Sequence, residues 1–386
     1  MEVLCDNEIA IRRVTGRKDL EAFVEFRRDL YRHCPYAVPY LSFDEMDTLR
    51  KDRNAAFDYS EAEYFLALHD GAVVGRIAGI INHRANERWN RRTVRFGWID
   101  FIDDIRVSRA LLQAVEDWGR SKGMTEMVGP MGFTDMDREG MLIEGFDRLA
   151  TMYSTYNYAY YPEHIKRLGG FTKDNDYLEY RVKIPERLPE KFAHVASIIE
   201  QRYNLHARNL TRREILHEGY GHKIFEVLNI TYRDLYGFAE LTDREIDQFV
   251  NGYIKIADLK MITVVEDWNA GHKLVGFGIT FPSLSKALQR SGGRLLPFGW
   301  LRMLRVIKCH HTDVVDLLLI GVLPEYRAKG VNALIFRDLV DRFQQYHIKY
   351  AEAMQQMETN DNVRNLWQYF DSEQHKRHRC YIRKIE

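Results

Sequence analysis

The 386-residue sequence predicts an α/β (α+β, mixed-sheet) protein built from two tandem halves of the same design. Two β-rich runs broken by a turn, "YFLALHDGAVVGRIAGII" and "MITVVEDWNAGHKLVGFGITF", stand roughly 200 residues apart. After each comes a strand, an amphipathic helix and another strand, in the same order. That interval is too long for a solenoid repeat and suits a duplicated domain. Pro185 and Pro189 in "KIPERLPEKF" place the boundary, giving residues 1–185 and 186–386.

The first half opens with a strand-like "EIAIRRV" and the helix "DLEAFVEFRRDLYR", where Leu20, Phe23, Val24, Phe26 and Leu30 make a broad apolar face. Asp70-Gly71 marks the first hairpin turn. "VRFGWIDFI" reads as a strand, "SRALLQAVEDWGRSKGM" as a helix and "TEMVGPM" as a strand. "YYPEHIKRLGGFTKDNDYLEYRVKI" adds a short helix, a glycine turn and a closing strand. In the second half the hairpin turns around Asn269 to Gly271. The strand "VVDLLLIGV", the helix "ALIFRDLVDRFQQYH", the strand "KYAEAMQQME", the helix "NDNVRNLWQYF" and the strand "CYIRKI" complete it.

Composition narrows the function. The 56 Lys and Arg balance 56 Asp and Glu, which speaks against a nucleic-acid partner, since that needs a net basic face. Cys5, Cys34, Cys309 and Cys380 form no CxxC pair, so neither a disulfide framework nor a zinc site is expected. The N-terminal "MEVLCDNEIAIRRV" has no apolar core, and no charge-free stretch is long enough to span a bilayer. A cytoplasmic protein, with membrane association through one segment described below, is the expectation.

The chemistry-bearing motif is "LPEYRAKGVNA", residues 323–333, between the second-half strand and its helix. A strand feeding a helix through a short loop turns backbone N–H groups toward one point, and the helix dipole adds to them. Gly330 lets an anion approach the backbone, and Arg327 and Lys329 supply positive charge. A Walker loop needs its lysine after a glycine, and the GxGxxG dinucleotide fingerprint is absent, so neither fits. A solvated basic loop capping a helix is the bland alternative.

Here the sequence resembles the GNAT superfamily of acyl-CoA-dependent N-acyltransferases, whose signature is V-x-P-x-Y-R-x-x-G-x-G/A. Val322, Pro324, Tyr326, Arg327 and Gly330 match, while Asn332 replaces the second small residue and Ala333 follows it. The resemblance covers about the last 170 residues by pattern. It implies an acetyl-CoA or longer acyl-CoA donor held by Ile320, Val322, Arg327, Ala328, Lys329, Gly330, Val331, Asn332, Ala333 and Asn360, with no metal. The first half keeps the element order but carries "DFIDDIRVSRALL" in place of the loop; Asp100, Asp103 and Asp104 there would repel a pyrophosphate. A degenerate copy that shapes the acceptor site or the domain interface is expected. Tandem chains with one catalytic half occur in mycothiol synthases, N-myristoyltransferases and Fem aminoacyl transferases, and this pattern is similar to theirs.

Attack of an amine on a thioester needs a base for the ammonium proton, a donor for the oxyanion, and a route for the thiolate. By the resemblance, Asp316 falls where the family's strand carboxylate sits; a solvated strand-edge Asp is the rival reading. The family's thiolate acid is a helix tyrosine, but "LWQYF" puts Trp367 at its place, leaving Tyr369 as a substitute on another side of the helix or as core. Asn360 and Asn362 either contact the cofactor or cap the helix. His310 and His311 point to opposite strand faces and suggest no metal. No Cys or Ser sits in a nucleophile motif, so transfer is expected to be direct. The tail "HKRHRCYIRKI" reads as a charged face.

Two other stretches bear on the acceptor. Residues 281–308 mix Leu, Phe298 and Trp300 with Lys286, Arg290, Arg294, Arg302 and Arg305, which suits a membrane-surface element, a lid over an acyl chain, or a helical hairpin burying its leucines. "GPMGFTDMDREGMLIEGFD" places Asp135, Asp137, Glu139 and Glu144 either to receive a cationic amine or on a loop surface. The tyrosines of "MYSTYNYAYYPEH" either line an acceptor cleft or are expected to pack between the halves. This arrangement resembles a bacterial GNAT group with ceramide synthases among its members, implying a small-molecule or lipid amine acceptor. A Fem-like aminoacyl transferase and a non-catalytic CoA- or lipid-binding module remain as alternatives, the latter consistent with Trp367 and Asn332.

Overall fold

A computed structural model describes residues 9–253 and 256–385; Cys5 and the side chain of Asn362 lie outside the described residues. The chain divides into two compact units. One holds the chain up to Leu178, Ser285–Trp300 and the chain from His375; the other holds Glu179–Leu284 and Leu301–Gln374. This division differs from a cut at 185, because part of the inserted segment and the C-terminal strand return to the first unit.

The first unit contains β1 (Ala10–Arg13), α1 (Arg17–Leu30), α2 (Ser42–Thr48), β2 (Ser60–His69), β3 (Ala72–Asn82), α3 (His83–Arg88), β4 (Thr93–Phe101), α4 (Ile105–Ser121), β5 (Glu126–Gly129), β6 (Met141–Glu144), α5 (Tyr160–Leu168) and the start of β7 (Thr172–Lys183). Strands β1 to β4 form an antiparallel meander, and β4 pairs parallel with β5 from Thr93↔Glu126 to Arg95↔Val128. The C-terminal strand then pairs antiparallel with β5 through Tyr381↔Gly129 to Lys384↔Glu126 and with β6 through Arg377↔Glu144. That interior position buries Lys376 and His378, so the tail is not the charged outer face that its composition suggests. Helix α4 lies on β3, where added Cβ atoms at Gly75 and Gly79 would come within 2.8 Å of Val107 and Trp118.

The second unit contains α6 (Glu190–Tyr203), β8 (Leu205–Arg208), α7 (Arg212–His217), α8 (Tyr220–Tyr232), α9 (Asp243–Tyr253), β9 (Ile262–Asp267) and β10 (Lys273–Pro282); of the inserted segment, α10 (Ser285–Ser291) belongs to the first unit and α11 (Gly299–Cys309) lies mostly in the second, from Leu301. There follow β11 (Val314–Val322), α12 (Pro324–Arg327), α13 (Val331–Gln345), β12 (Tyr350–Met357), α14 (Asp361–Trp367) and the start of β13 (Ser372–Lys384), the strand that from His375 belongs to the first unit. The strand order is β8-β9-β10-β11-β12, antiparallel up to β11 and parallel between β11 and β12.

Glycines again set the helix-to-sheet distance. A Cβ on Gly276 would stand 3.0 Å from Val331, and one on Gly278 only 2.6 Å from Ile335. Val331, Ile335 and Leu339 fall at helical spacing on the buried stripe of α13, so the glycine-bearing strand and this stripe fit as a pair. Each unit is thus a mixed sheet with a long helix seated on strand glycines. Replacing Gly278→Val should destabilise the protein by about 1–3 kcal/mol through overpacking. A urea midpoint equal to that of the parent would show that α13 does not need this close seat.

Candidate active site

The site begins with a defect in pairing. Between β10 and β11 the register runs Ile279↔Leu319 and then Thr280↔Leu317, so Leu318 is an extra residue, a β-bulge. On the other side, β11 pairs with β12 from Val314↔Tyr350 only as far as Leu317↔Ala353, although both strands continue to Val322 and Met357. Beyond the bulge the two parallel strands have separated. Leu317, Leu318, Leu319 and Ile320, four apolar residues in a row on an interior strand, are consequently only half-buried, as are Met354, Gln355 and Gln356 on β12. This stretch of β11 has no partner in the β12 register and runs on toward the loop.

The loop is an eight-residue connection, 323–330, stiffened at both ends. Pro324 begins the short helix α12 at a position where its missing N–H costs nothing. Buried Tyr326 donates its hydroxyl to Asp267 Oδ2 at 2.8 Å, tying the loop to the β9–β10 turn that Asp267 also caps. Burial first, then that carboxylate, push the Tyr326 phenol up to about 12, so it stays a donor at neutral pH. Gly330 closes the loop at φ +83°, a conformation L side chains avoid, and a Cβ there would meet Val195 of α6 at 2.9 Å. The chain then enters α13, a fifteen-residue helix whose first N–H groups point back into the loop.

The remaining expected loop residues fall into place around this turn. Arg327 is exposed and donates to the carbonyls of Val322 and Thr231, both at 3.3 Å. Ala328 is exposed, and Lys329 lies over the Tyr326 ring at 4.1 Å. Val331 and Ala333 are buried under the helix, while Asn332 is half-buried on its first turn. The Ile320 carbonyl accepts from the Tyr232 hydroxyl at 3.2 Å, and Val322 pairs with Gly276.

Asp316 is fully buried, not a solvated strand-edge carboxylate. Residues opposite each other across a pairing share a face, so it lies beside Phe281 on β10 and beside Glu352 on β12. Arg181 reaches Glu352 at 3.6 Å. Gly321, past the bulge, presents its Cβ direction to Phe277 and to Thr231 of α8. A carboxylate pair therefore sits just where the strands begin to part.

Trp367 is core: it is buried, donates Nε1–H to Gln356 at 2.9 Å and packs near Phe336 and Phe370. Tyr369 is half out in water, its hydroxyl accepting from Lys191 of α6 at 2.6 Å and its ring edge-on to Phe192. These partners hold it against α6. Asn360 is the N-cap residue of α14, yet its side chain makes no capping bond. His310 is engaged by Asp258 at 2.8 Å and stacked on Tyr346. The roles of Tyr326, Gly276 and the Leu318 bulge were not legible as site features; the Tyr in the motif was the one available signal.

In the first unit the corresponding bulge survives, at Trp98 and Ile99 between Arg76↔Asp100 and Ala78↔Gly97, but the loop does not. Only residues 102–104 join β4 to α4. Asp100 is buried between Arg27 at 2.6 Å and Arg76 at 2.8 Å, with Tyr161 above. Asp103 pairs with His164 and Asp104 caps α4. Tyr31, Tyr158, Tyr160 and Tyr161 stack in this unit around Phe101. These carboxylates are structural.

The acidic loop is not surface either. Glu139 is buried and Asp135 and Asp137 are half-buried, while Glu144 alone is exposed. Burial pushes the carboxyls of Asp135 and Glu139 up, and it pushes Asp137 up to about 6 against the opposing N–H bonds from Phe133 and Thr134.

No family model matches the chain. It is 28% identical over 381 residues to Protein YghO of Escherichia coli K12, covering 97% of this chain and 95% of that one. It is 25% identical over 321 residues to a protein named bacterial ceramide synthase from Caulobacter vibrioides, covering 80% and 79%. Among solved structures, a tandem GNAT protein from the clavulanic acid biosynthesis pathway superposes with a TM-score of 0.59 at 10% identity, over 98% of this chain and 99% of that one. A GCN5-related N-acetyltransferase from Sphaerobacter thermophilus gives 0.52 at 10% identity, over 98% and 96%. The chain has the tandem GNAT fold.

The raised carboxyl of Asp137 gives a pH test. Because its proton is held more tightly folded than unfolded, its stabilising contribution is full below about pH 4 and is lost as pH rises through about 6. Asp137→Asn keeps an oxygen acceptor for both N–H bonds and removes the titration. Urea unfolding between those limits should show the parent losing up to about 3 kcal/mol relative to the variant, at ~1.4 kcal/mol per pKa unit. Parallel curves would mean that Asp137 titrates as a solvent carboxylate.

Proposed function

We propose that this protein is an acyl-CoA-dependent N-acyltransferase whose second unit carries the reaction and whose acceptor is a long-chain or lipid amine. The separation of β11 from β12 beyond Leu317, opening onto the Gly330 turn, carries the reading. The turn and the first N–H groups of α13 suit the CoA pyrophosphate, with Arg327 and Lys329 beside it. The pantetheine would lie in the cleft and bond to the free edge of β11, as an added strand does. The half-buried Leu317–Ile320 run suits a hydrocarbon chain. The relative named bacterial ceramide synthase points the acceptor toward an aliphatic amine, and the GNAT fold points the reaction toward acyl transfer.

In this mechanism the ammonium form of the acceptor gives a proton to Asp316, with Glu352 alongside. The freed nitrogen lone pair attacks the thioester carbonyl carbon. A β11 backbone N–H stabilises the oxyanion. The C–S bond then breaks, the nitrogen sheds its second proton to solvent, and CoA leaves as a thiolate that takes up a proton from solvent. Tyr369, held by Lys191, supplies none of these steps; a thiol tolerates departure as its anion far better than an alcohol does.

Gly330→Glu would disturb both a left-handed turn and the Val195 contact, so a cleaner probe is the exposed Ala328. CoA should raise the melting temperature of the parent and of Asp316→Asn, but not that of Ala328→Glu, whose melting without CoA should match the parent. Asp316→Asn should also lower kcat by about 10²–10⁴ with a long-chain amine as acceptor. Full turnover in Asp316→Asn would remove it as the base. CoA release with lysine or polyamines but not with long-chain amines would remove the lipid acceptor.

A further inference from the structure

Between Pro282 and Asp313 the chain carries Lys286, Arg290, Arg294, Arg302, Arg305 and Lys308 and no Asp or Glu, in a protein whose total charge balances to zero. The same stretch holds the most exposed apolar side chains among the described residues. Leu296 is 76% exposed and Phe298 63%, at the tip of the turn between α10 and α11. Trp300, Leu301 and Leu304 are exposed as well.

The turn is built to hold this tip out. Gln289 donates to the carbonyls of Pro35 and Ala37, and Ser42 N–H donates to the Gly293 carbonyl, which pins the base of the turn. A Cβ on Gly293 would strike the Tyr40 carbonyl at 2.1 Å, and one on Gly299 the Arg294 carbonyl at 1.8 Å, so the loop closes tightly on itself below the exposed residues. Trp300 donates its only polar hydrogen back to the Pro297 carbonyl at 3.2 Å, leaving its ring as bare apolar surface.

Helix α11 continues the pattern. Met303, Val306 and Ile307 are buried at i, i+3, i+4 spacing and seat the helix. At 100° per residue, Leu304 and Leu301 fall on the exposed arc with Lys308 between them and Arg305 and Arg302 beyond Leu301, while exposed Trp300 stands at the edge of that arc beside Ile307. A face with an apolar crest and a one-sign cationic flank is complementary to a surface with an anionic rim and an apolar interior. Among the described residues no helix is long and apolar enough to cross a membrane, so contact would be at the surface.

We propose that residues 294–308 dock this protein onto anionic lipid bilayers, Leu296, Phe298 and Trp300 entering the headgroup–acyl boundary and Arg305 and Lys308 meeting the lipid phosphates, while Arg294 is already paired with Glu25 at 3.6 Å. No step of acyl transfer is needed for this, so it stands apart from the proposed reaction. The full chain is mixed with phosphatidylcholine vesicles with and without phosphatidylglycerol, and co-sedimentation is measured. The parent should partition to phosphatidylglycerol vesicles in a salt-sensitive way. Leu296→Glu with Phe298→Glu should lower partitioning at least tenfold. Arg305→Glu with Lys308→Glu should remove the phosphatidylglycerol increment, roughly fivefold per cation. All four side chains are exposed, so unchanged thermal unfolding checks the fold. Absence of parent binding, or parent-like binding by both variants, overturns the proposal. So does a parent that self-associates without vesicles when the Leu296/Phe298 variant does not, since the face would then be covered by a second copy. A raised KM for acyl-CoA in that variant with vesicle partitioning intact would make the segment a lid instead.

Discussion

Close seating of a long helix on strand glycines is the constraint on which both halves depend. Only a strand lacking Cβ atoms at Gly276 and Gly278 lets Val331 and Ile335 come down onto the sheet. That contact fixes where α13 starts, and the start of α13 fixes the left-handed turn at Gly330 above the end of β11. Gly75 and Gly79 do the same for α4 in the first unit. The two halves share this device and the bulge on the following strand, although their residues differ almost everywhere else.

They part at one connection. Eight residues join β11 to α13, and Tyr326 anchors them through Asp267; three residues join β4 to α4, and Asp100 beneath them is locked between two guanidiniums. A buried carboxylate held by Arg27 and Arg76 cannot also make room for a pyrophosphate, since removing either cation would strand a charge in the interior. In the first unit this position is core. This is a physical reason for one half to keep the fold without the cradle.

Periodicity made the fold legible: "VVDLLLIGV" is β11 from end to end, and both hairpins, the long helices and the duplicated order follow from alternation and helical spacing. The motif made the loop legible, because glycine, proline and arginine there have few other uses. Burial of polar residues was not legible. Asp316, Lys376, His378 and Glu139 look like solvent-facing residues by type, and only the pairing of β11 with β12 and the interior course of the C-terminal strand put them inside. The chain's returns to the first unit at 285–300 and from 375 were equally hidden, since they depend on contacts far apart in sequence. Tyr369 illustrates a further limit: the helix was expected to carry it but ends at Trp367, and the Lys191 that claims its hydroxyl lies 178 residues earlier.

The carboxylates and the apolar run also constrain each other. Asp316 and Glu352 sit at the point where pairing ends, and Leu317–Ile320 begin immediately beyond it. In the proposed reaction, a small hydrophilic amine would leave the apolar run wet, whereas an amphiphile with an amine head and a long tail would meet the acids and the run together; each mismatch would be costly because buried groups lose their water. Selectivity for such a molecule would then come from the strand itself, where Asp316 directly precedes the apolar residues.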